Sequence, residues 1–283
     1  MYLSNKPLEK RVHSAEEFEE IVNNIVERRR VNYAEEWQEY YRGQANECWQ
    51  LVPSSAREFK NVNDLKNYEL NIIRELTKLK AKKGLEKFFC DSPEKYEFNN
   101  EWDLIWQAQH LGIPTRLMDW TLDFKVALYF AVSCVEQYNM DGVVWVFRVP
   151  SIVEDLHNNF KYINPTQYSK TSMLNISIYM NENPELRPGE INKISQGGRF
   201  LCQSFKNSLI PLEQQLEFIP YLEKYIIPKE LKKEIRVYLS NKGKTKEDLL
   251  PPFECEIQNE IQKIKVKYFP YLQATSICNE SNA

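Results

Sequence analysis

The sequence predicts an α+β fold in which a mixed central sheet is flanked by helices. The segment GVVWVFRV, from Gly142 to Val149, is β-branched, aromatic and almost wholly apolar, which is typical of a central strand. Up to and including this strand, extended and helical patterns follow one another in the order strand, helix, helix, strand, helix, strand. The chain has no internal repeat and no long linker, so residues 1–283 are expected to form one domain.

The composition is that of an ordinary globular protein. Of the 283 residues, 42% are hydrophobic and 27% are charged, and the net charge of -3 gives no overall attraction to nucleic acid. The six cysteines lie singly and the three histidines are far apart, so no metal is expected. No window approaches the ~18 uninterrupted apolar residues of a membrane span, and the N-terminal residues lack the apolar stretch of a signal peptide. We therefore expect a cytoplasmic protein without a membrane partner.

The first half of the chain predicts a strand between two long helices. Ser14 opens a capping box, so a helix is expected to begin there and to end near residue 30. Glu39 to Gly43 has the pattern of a short strand. Apolar residues at helical spacing from Leu65 to Leu79 predict a second helix, with Gly84 as its C-cap.

The middle of the chain predicts a helix, an extended segment and another helix. The first helix runs from about Glu101 to Gly112, and Pro114 forces the following TRLMDW into an extended conformation. Asp123 or Thr121 is expected to cap the next helix, whose small residues would let it pack closely on a sheet. Further strands are predicted in GRFLCQSF and LEKYIIP, and further helices in KELKKEIRVYLSNKG, after Thr245, and through Ile257, Ile261 and Ile264.

Two polar stretches stand out because the common catalytic motifs are absent. The sequence holds no G-x-S-x-G, H-E-x-x-H, G-x-x-x-x-G-K-[ST] or G-x-G-x-x-G. In YYRGQ, Arg42 stands at a strand end beside Gly43, which would leave room for an anion to approach both the guanidinium and the backbone. The alternative is that Arg42 pairs with an acid of the preceding AEEWQEY.

The second stretch is AQHLGIPTRLMDWT. Its Arg116 and Asp119 are expected to pair with each other, and His110 is expected to donate to Asp119. Taken alone, this pattern fits a buried polar network between strand and helix as well as it fits a ligand site. If it is a site, Arg116 and Asp119 brace the wall of a pocket, and Thr115, Trp120 and Thr121 face the cavity.

Together the two stretches resemble the FRG domain, a family of bacteria and their phages that is named for an [FY]-R-G tripeptide. The segments YYRGQANECWQLVPSSARE and WQAQHLGIPTRLMDWTLDFKVALYFAV are similar to its two signature blocks. The second block reads approximately A-Q-H-x-G-x-P-T-R-L-L-D-W-T, followed by a helix of small residues, and Met118 replaces one Leu. The resemblance spans about residues 15–260, and the tail of about residues 273–283 carries no pattern and is expected to be flexible.

Two later segments resemble the family more loosely. ISQGGRF is similar to Q-Q-G-x-F, with Ser195 in place of the first Gln and an extra residue before Phe200. LLPPFEC is similar to the closing L-F-P-D-L-D-G, with Pro252 replacing one acid, Glu254 standing at the other and Cys255 replacing the Gly.

The order of these elements is in turn similar to that of ADP-ribosyltransferase folds, and this likeness implies NAD as the substrate. In that reading, Arg42 grips the phosphates or ribose, Thr115 and Thr121 are candidates for contacting the ribose, and Glu254 is the late acid. Glu213 and Glu217 are alternatives for the acid. The likeness implies nucleotide contacts for these residues: Tyr41, Arg42, Gly43, His110, Thr115, Arg116, Asp119, Trp120, Thr121 and Gln196.

Three functions stay open at this point. The first is an NAD-dependent ADP-ribosyltransferase effector of toxin or phage-defence type, with a macromolecular acceptor and an antitoxin or defence-system partner. The second is a non-catalytic module that binds a nucleotide or a protein at the same pocket. The third is a nucleic-acid-processing enzyme that uses Arg42, His110 and Asp119.

Overall fold

The computed structural model describes residues 6–14, 17, 20, 21, 23, 24, 27, 37–83, 100–150, 163–174, 197–250 and 257–269. Within these residues, seven strands form one sheet in the order β1-β7-β4-β2-β3-β6-β5. The strands are β1 Leu8–Arg11, β2 Trp37–Gln44, β3 Leu117–Thr121, β4 Gly142–Pro150, β5 Ser172–Leu174, β6 Gly198–Cys202 and β7 Leu222–Ile227. The helices are α1 Val62–Lys80, α2 Asn100–His110, α3 Phe124–Val132, α4 Phe205–Ser208, α5 Lys232–Ser240, α6 Lys246–Leu249 and α7 Gln258–Tyr268.

The sheet is mixed, as the sequence predicts. Strand β1 pairs with β7 in parallel, and the other neighbouring strands pair antiparallel. Strand β4, predicted to be central, lies between β2 and β7 and is hydrogen-bonded on both sides. An α+β fold with a mixed sheet and flanking helices is therefore confirmed.

The two faces of the sheet are covered differently. One face carries the helices: α3 and α5 pack over β2, β4 and β7, and α1, α2 and α7 pack over β3, β5 and β6. The other face is covered by irregular segments that contribute Leu51, Leu212 and Phe218. We call these the helical face and the open-coil face. Because side chains alternate along a strand, each strand residue belongs to one of them.

Helix α3 lies unusually close to the sheet. A Cβ built on Gly43 would stand 1.7 Å from the carbonyl oxygen of Ala127, and one built on Gly142 would stand 2.4 Å from that of Ala131. Ala127 and Ala131 are themselves fully buried. The small residues of α3 therefore meet two glycines of the sheet, which confirms the predicted close packing. The room expected for an anion beside Gly43 on this face is taken by the helix.

Most predicted elements are present, and their ends show where local signals suffice. The side chain of Ser14 accepts from the Glu17 N–H at 3.1 Å, and Asp123 caps α3 by accepting from the Lys125 N–H. Helix α2 ends before Gly112, which has a φ of 73°. The predicted C-cap of α1 is wrong, because this helix ends at Lys80 with Ala81 as its C-cap.

Two strands of the sheet are absent from the sequence-based prediction. Strand β1 is exposed at all four residues and has the polar sequence LEKR, so no apolar alternation marks it. Strand β5 has three residues, which is too short for a periodic pattern to be recognised. Both lie at the edges of the sheet, where pairing with a neighbour decides the conformation.

We expect Gly43→Ala to destabilise the protein by more than about 3 kcal/mol, because the new Cβ would collide with the backbone of α3. Gly243→Ala is the control, since a Cβ there meets nothing within 4 Å and only the φ of 66° opposes it. That control should cost about 1 kcal/mol. Urea unfolding of both variants measures the difference. Equal losses would contradict the close packing of α3 on β2.

Candidate functional site

The candidate site lies where the two halves of the sheet meet. Strands β2 and β4 are paired at eight positions, whereas the ladder between β2 and β3 pairs Tyr41 with Thr121. Beyond that pair, the Arg42 guanidinium bridges the two strands, because its Nη1 donates to the carbonyl oxygen of Asp119 at 2.6 Å. The Arg42 side chain thus donates to a carbonyl oxygen that would accept from a backbone N–H in a regular antiparallel ladder.

Cations and indoles alternate across five neighbouring strands on the open-coil face. Trp145 stands opposite Lys224 and Arg42, and Trp120 stands opposite Arg199. Arg42 and Trp120 are neighbours because each is one position from the Tyr41–Thr121 pair. We call this line the cation–indole row; from β7 to β6 it consists of Lys224, Trp145, Arg42, Trp120 and Arg199.

The centre of the cation–indole row is buried and its ends are not. Trp120 is 2% exposed, Trp145 is 3% exposed and Arg42 is 6% exposed, whereas Arg199 and Lys224 are half-buried. The indole N–H of Trp145 donates to Gln44 Oε1 at 2.9 Å. The indole N–H of Trp120 has no hydrogen-bond partner among the described residues.

A chain of hydrogen bonds fixes Asp119 on the helical face. Gln109, at the end of α2, donates to Asp119 Oδ2 at 2.5 Å. The Thr115 hydroxyl donates to Gln109 Oε1 at 2.5 Å and accepts from the Leu117 N–H at 3.1 Å. The loop before β3, the end of α2 and the middle of β3 are therefore held together by side chains of the second signature block.

Burial raises the pKa of Asp119 to about 6. The positive charge of Arg42 and the hydrogen bond from Gln109 act in the opposite direction and favour the carboxylate. The carboxylate form of Asp119 is therefore less favoured than that of an exposed Asp, and the Asp119 carboxyl group titrates close to neutral pH.

Arg116 does not form the expected pair with Asp119. It instead binds Glu69 of α1 through Nε at 3.1 Å and Nη2 at 3.0 Å. Its other N–H groups donate to the carbonyl oxygens of Gln203, Tyr168 and Pro165. All five guanidinium N–H groups are thus used within a site that is 1% exposed, which favours a structural role.

His110 also differs from its expected role as a donor to Asp119. Its Nδ1 lies 3.0 Å from the Trp106 carbonyl oxygen, and its ring packs against those of Trp106 and Phe200. Gln109, one residue earlier, makes the bond to Asp119. The change of partner follows from the helix, because adjacent residues on α2 point about 100° apart.

The aromatic and hydroxyl residues predicted for one cavity lie on two faces. Trp120 packs with the residues of the open-coil face, whereas Tyr41 packs with those of the helical face. The Tyr41 hydroxyl donates to Glu39 Oε2 at 2.7 Å. The Thr121 hydroxyl accepts from the Asp123 N–H at 3.0 Å at the start of α3. The prediction that Thr115, Trp120 and Thr121 face one cavity is therefore wrong. The side chains of neighbouring strand residues point to opposite faces of the sheet, so Trp120 and Thr121 cannot line the same cavity.

Of the three candidate acids and Gln196, two residues are outside the described part of the chain. Gln196 and Glu254 lie outside the described residues. The Glu213 carboxylate accepts from the Leu51 N–H, at 3.1 Å to one oxygen, and burial raises its pKa. Glu217 is exposed. The described part of the chain thus leaves the assignment of the late acid as a prediction.

Three residues of the site were missed from the sequence. Gln109 lies within the signature block as the middle residue of AQH, so that motif was a signal for it. Trp145 and Arg199 carry no such signal, because they join the cation–indole row only through the order and register of the strands.

Metal ligation and membrane insertion find no support in the described ranges. In the part of the chain that the structure covers, no group of three or more His, Cys, Asp or Glu residues could hold a metal ion. None of the helices within those ranges combines the length and the apolar character that a membrane span needs.

Comparison with known proteins identifies one similarity. Residues 37–140 match the family model of the FRG domain. This match confirms the resemblance for both signature blocks, and it contains Arg42, Gln109, Thr115, Asp119 and Trp120. No curated protein and no solved structure matches the chain significantly.

We expect Arg116→Met to destabilise the protein by about 3–5 kcal/mol, because it leaves the Glu69 carboxylate buried without its partner. Adding Glu69→Met should recover part of this loss. Arg11→Met is the matched control, since the Arg11–Asp141 pair is exposed and should change stability by no more than about 1 kcal/mol. Urea unfolding of the three variants measures these values. A loss as small as that of the control would argue against a structural Arg116.

Asp119→Asn should change how stability depends on pH. The native pKa of Asp119 is raised from 3.8 to about 6, so the native state binds more protons than the unfolded state between these values. The contribution of Asp119 to the free energy of unfolding therefore falls as pH rises through that window, by up to about 3 kcal/mol. Asp119→Asn removes this term, so its stability relative to wild type should rise from pH 4 to pH 7.

Asp248→Asn is the control for the pH experiment. Hydrogen bonds from Thr245 lower the pKa of the exposed Asp248, so its contribution to stability has the opposite dependence on pH. Denaturant titrations from pH 3.5 to pH 7.5 compare the two variants with wild type. A pH-independent difference between Asp119→Asn and wild type would contradict a raised pKa for Asp119.

Proposed function

We propose that this protein binds NAD at the cation–indole row and transfers the ADP-ribosyl group to a macromolecular acceptor. The observation that carries the proposal is Arg42, whose guanidinium is held at the junction of β2 and β3 and whose strand position lies between those of Trp145 and Trp120. NAD carries an anionic diphosphate, and a fixed guanidinium matches the chemistry of that group.

The proposed reaction needs a leaving group, an acceptor and a carboxylate. The bond between the ribose C1′ and the nicotinamide nitrogen breaks, and its electron pair leaves with nicotinamide. A nucleophile of the acceptor then forms the new bond to C1′ and loses its proton to a base or to water. Positive charge develops on the sugar meanwhile, and a nearby carboxylate stabilises it. Glu254 is proposed for this role.

The similarity to the FRG domain supports the importance of the site. The matching residues 37–140 include Arg42 together with Asp119, whose carbonyl oxygen holds the guanidinium. An activity of this kind would suit a cytoplasmic effector of toxin or phage-defence type that works with an antitoxin or another defence protein. The alternative is a module that binds a nucleotide at the same residues without turnover.

Incubation with NAD tests the proposal, with nicotinamide release followed by chromatography. We expect the wild-type protein to release nicotinamide and Arg42→Gln to release it at least about tenfold more slowly, since a charge-assisted hydrogen bond to phosphate is lost. Arg236→Gln is the matched control, because Arg236 is a half-buried arginine that stacks on Tyr138 and belongs to α5, which covers the helical face and not the open-coil face. Circular dichroism checks that each variant is folded.

The same samples separate the alternatives. Thermal stabilisation by NAD without nicotinamide release, lost in Arg42→Gln, would indicate a binding module. Neither release nor stabilisation by NAD would contradict the proposal. Binding to nucleic acid that weakens steeply with salt would instead favour a nucleic-acid-processing enzyme.

A further inference from the structure

We infer that Trp120 and Arg199 complete an anion site with Arg42, and that this site receives a phosphate or diphosphate group. The inference rests on the proposed function, because it concerns the same cation–indole row. It adds a second arginine to the site, and it assigns to Trp120 a hydrogen bond from its indole N–H to the anion.

The first observation is the buried indole N–H of Trp120. Trp120 is 2% exposed, and its Nε1 has no hydrogen-bond partner among the described residues. A buried donor without an acceptor costs about 1–3 kcal/mol. The indole nitrogen can only donate, so the group that relieves this cost must be an acceptor. A phosphate oxygen is a strong acceptor.

The second observation is the position of two arginines around this donor. Arg42 and Arg199 neighbour Trp120 on the two flanking strands, and all three residues belong to the open-coil face. The strand backbones in a sheet are about 4.8 Å apart, so the Cα atoms of Arg42 and Arg199 are about 10 Å apart, a gap that two long side chains can close around one diphosphate. The indole leans over β2, since its ring centroid is 5.6 Å from that of Phe147 on β4.

The position of Trp120 and the exposure of its neighbours assign the anion to the β6 end of the row. Arg199 is half-buried, whereas Trp120 and Arg42 are buried. An anion therefore reaches the site past Arg199 and meets the indole N–H and Arg42 behind it.

Nuclear magnetic resonance of the tryptophan side chains tests the inference. The six indole N–H groups give separate signals in an amide correlation spectrum, and the loss of one signal in Trp120→Phe assigns that of Trp120. We expect ADP and inorganic pyrophosphate to move this signal, as a new hydrogen bond does, and adenosine to leave it in place. Arg199→Gln should weaken ADP binding by about tenfold or more, and Arg236→Gln should not.

A second comparison separates a ligand role from a structural one. Trp120→Phe keeps an aromatic ring and removes a donor that has no partner within the described ranges, so it should weaken ADP binding about tenfold without lowering stability. Trp102→Phe is the control, because the Trp102 indole donates to the Ile163 carbonyl oxygen at 2.8 Å. That variant should lose stability and keep its affinity for ADP.

The other possible results show whether the anion site alone or also the proposed function is wrong. If ADP binds and Arg42→Gln abolishes binding, but neither Arg199→Gln nor Trp120→Phe does, the anion site is refuted and the proposed function stands. If adenosine moves the Trp120 signal as ADP does, the indole contacts a base and not a phosphate. If NAD, ADP and pyrophosphate all fail to bind the wild-type protein, both the anion site and the proposed function fail.

Discussion

The junction between β2 and β3 is the constraint on which the candidate site depends. The backbone ladder pairs Tyr41 with Thr121, and the Arg42 guanidinium then reaches the Asp119 carbonyl oxygen across the gap. A guanidinium is longer than a backbone N–H and carries a charge, so it joins two diverging strands and creates a local positive field. Asp119 therefore makes two contacts: its backbone carbonyl oxygen accepts from Arg42, and its side-chain carboxylate, on the helical face, accepts from Gln109.

This arrangement gives physical reasons for the residues of the two signature blocks. Gly43 is required by the backbone of α3, which leaves no space for a Cβ. Arg42 bridges the strands, and Gln109, Thr115 and Asp119 form one chain of hydrogen bonds. Arg116 ties the start of β3 to Glu69 on α1. Residues of the two blocks therefore serve three purposes: helix packing, strand bridging and helix anchoring.

The sequence predicted the elements better than their contacts. Periodicity and capping residues are local, and they located β2, β3, β4 and the main helices because each signal lies within the element itself. Pairings depend on the folded sheet. Arg116 and Asp119 are near in sequence, yet Arg116 pairs with a residue 47 positions earlier. The row through Trp145, Arg42 and Trp120 could be found only from the strand order and register.

The two arginines of the signature blocks differ in a way that bears on function. Arg116 is enclosed by a carboxylate, three carbonyl oxygens and the ring of Phe205, so every donor has an internal acceptor. Arg42 is buried as well, but the indole N–H of its neighbour Trp120 has no hydrogen-bond partner in the part of the chain that the structure describes. A protein that only needed a stable core would gain from Phe at position 120, since Phe fills similar space without burying an N–H. A Trp beside Arg42 is therefore consistent with the proposed ligand acceptor, whereas the contacts of Arg116 fit a structural role.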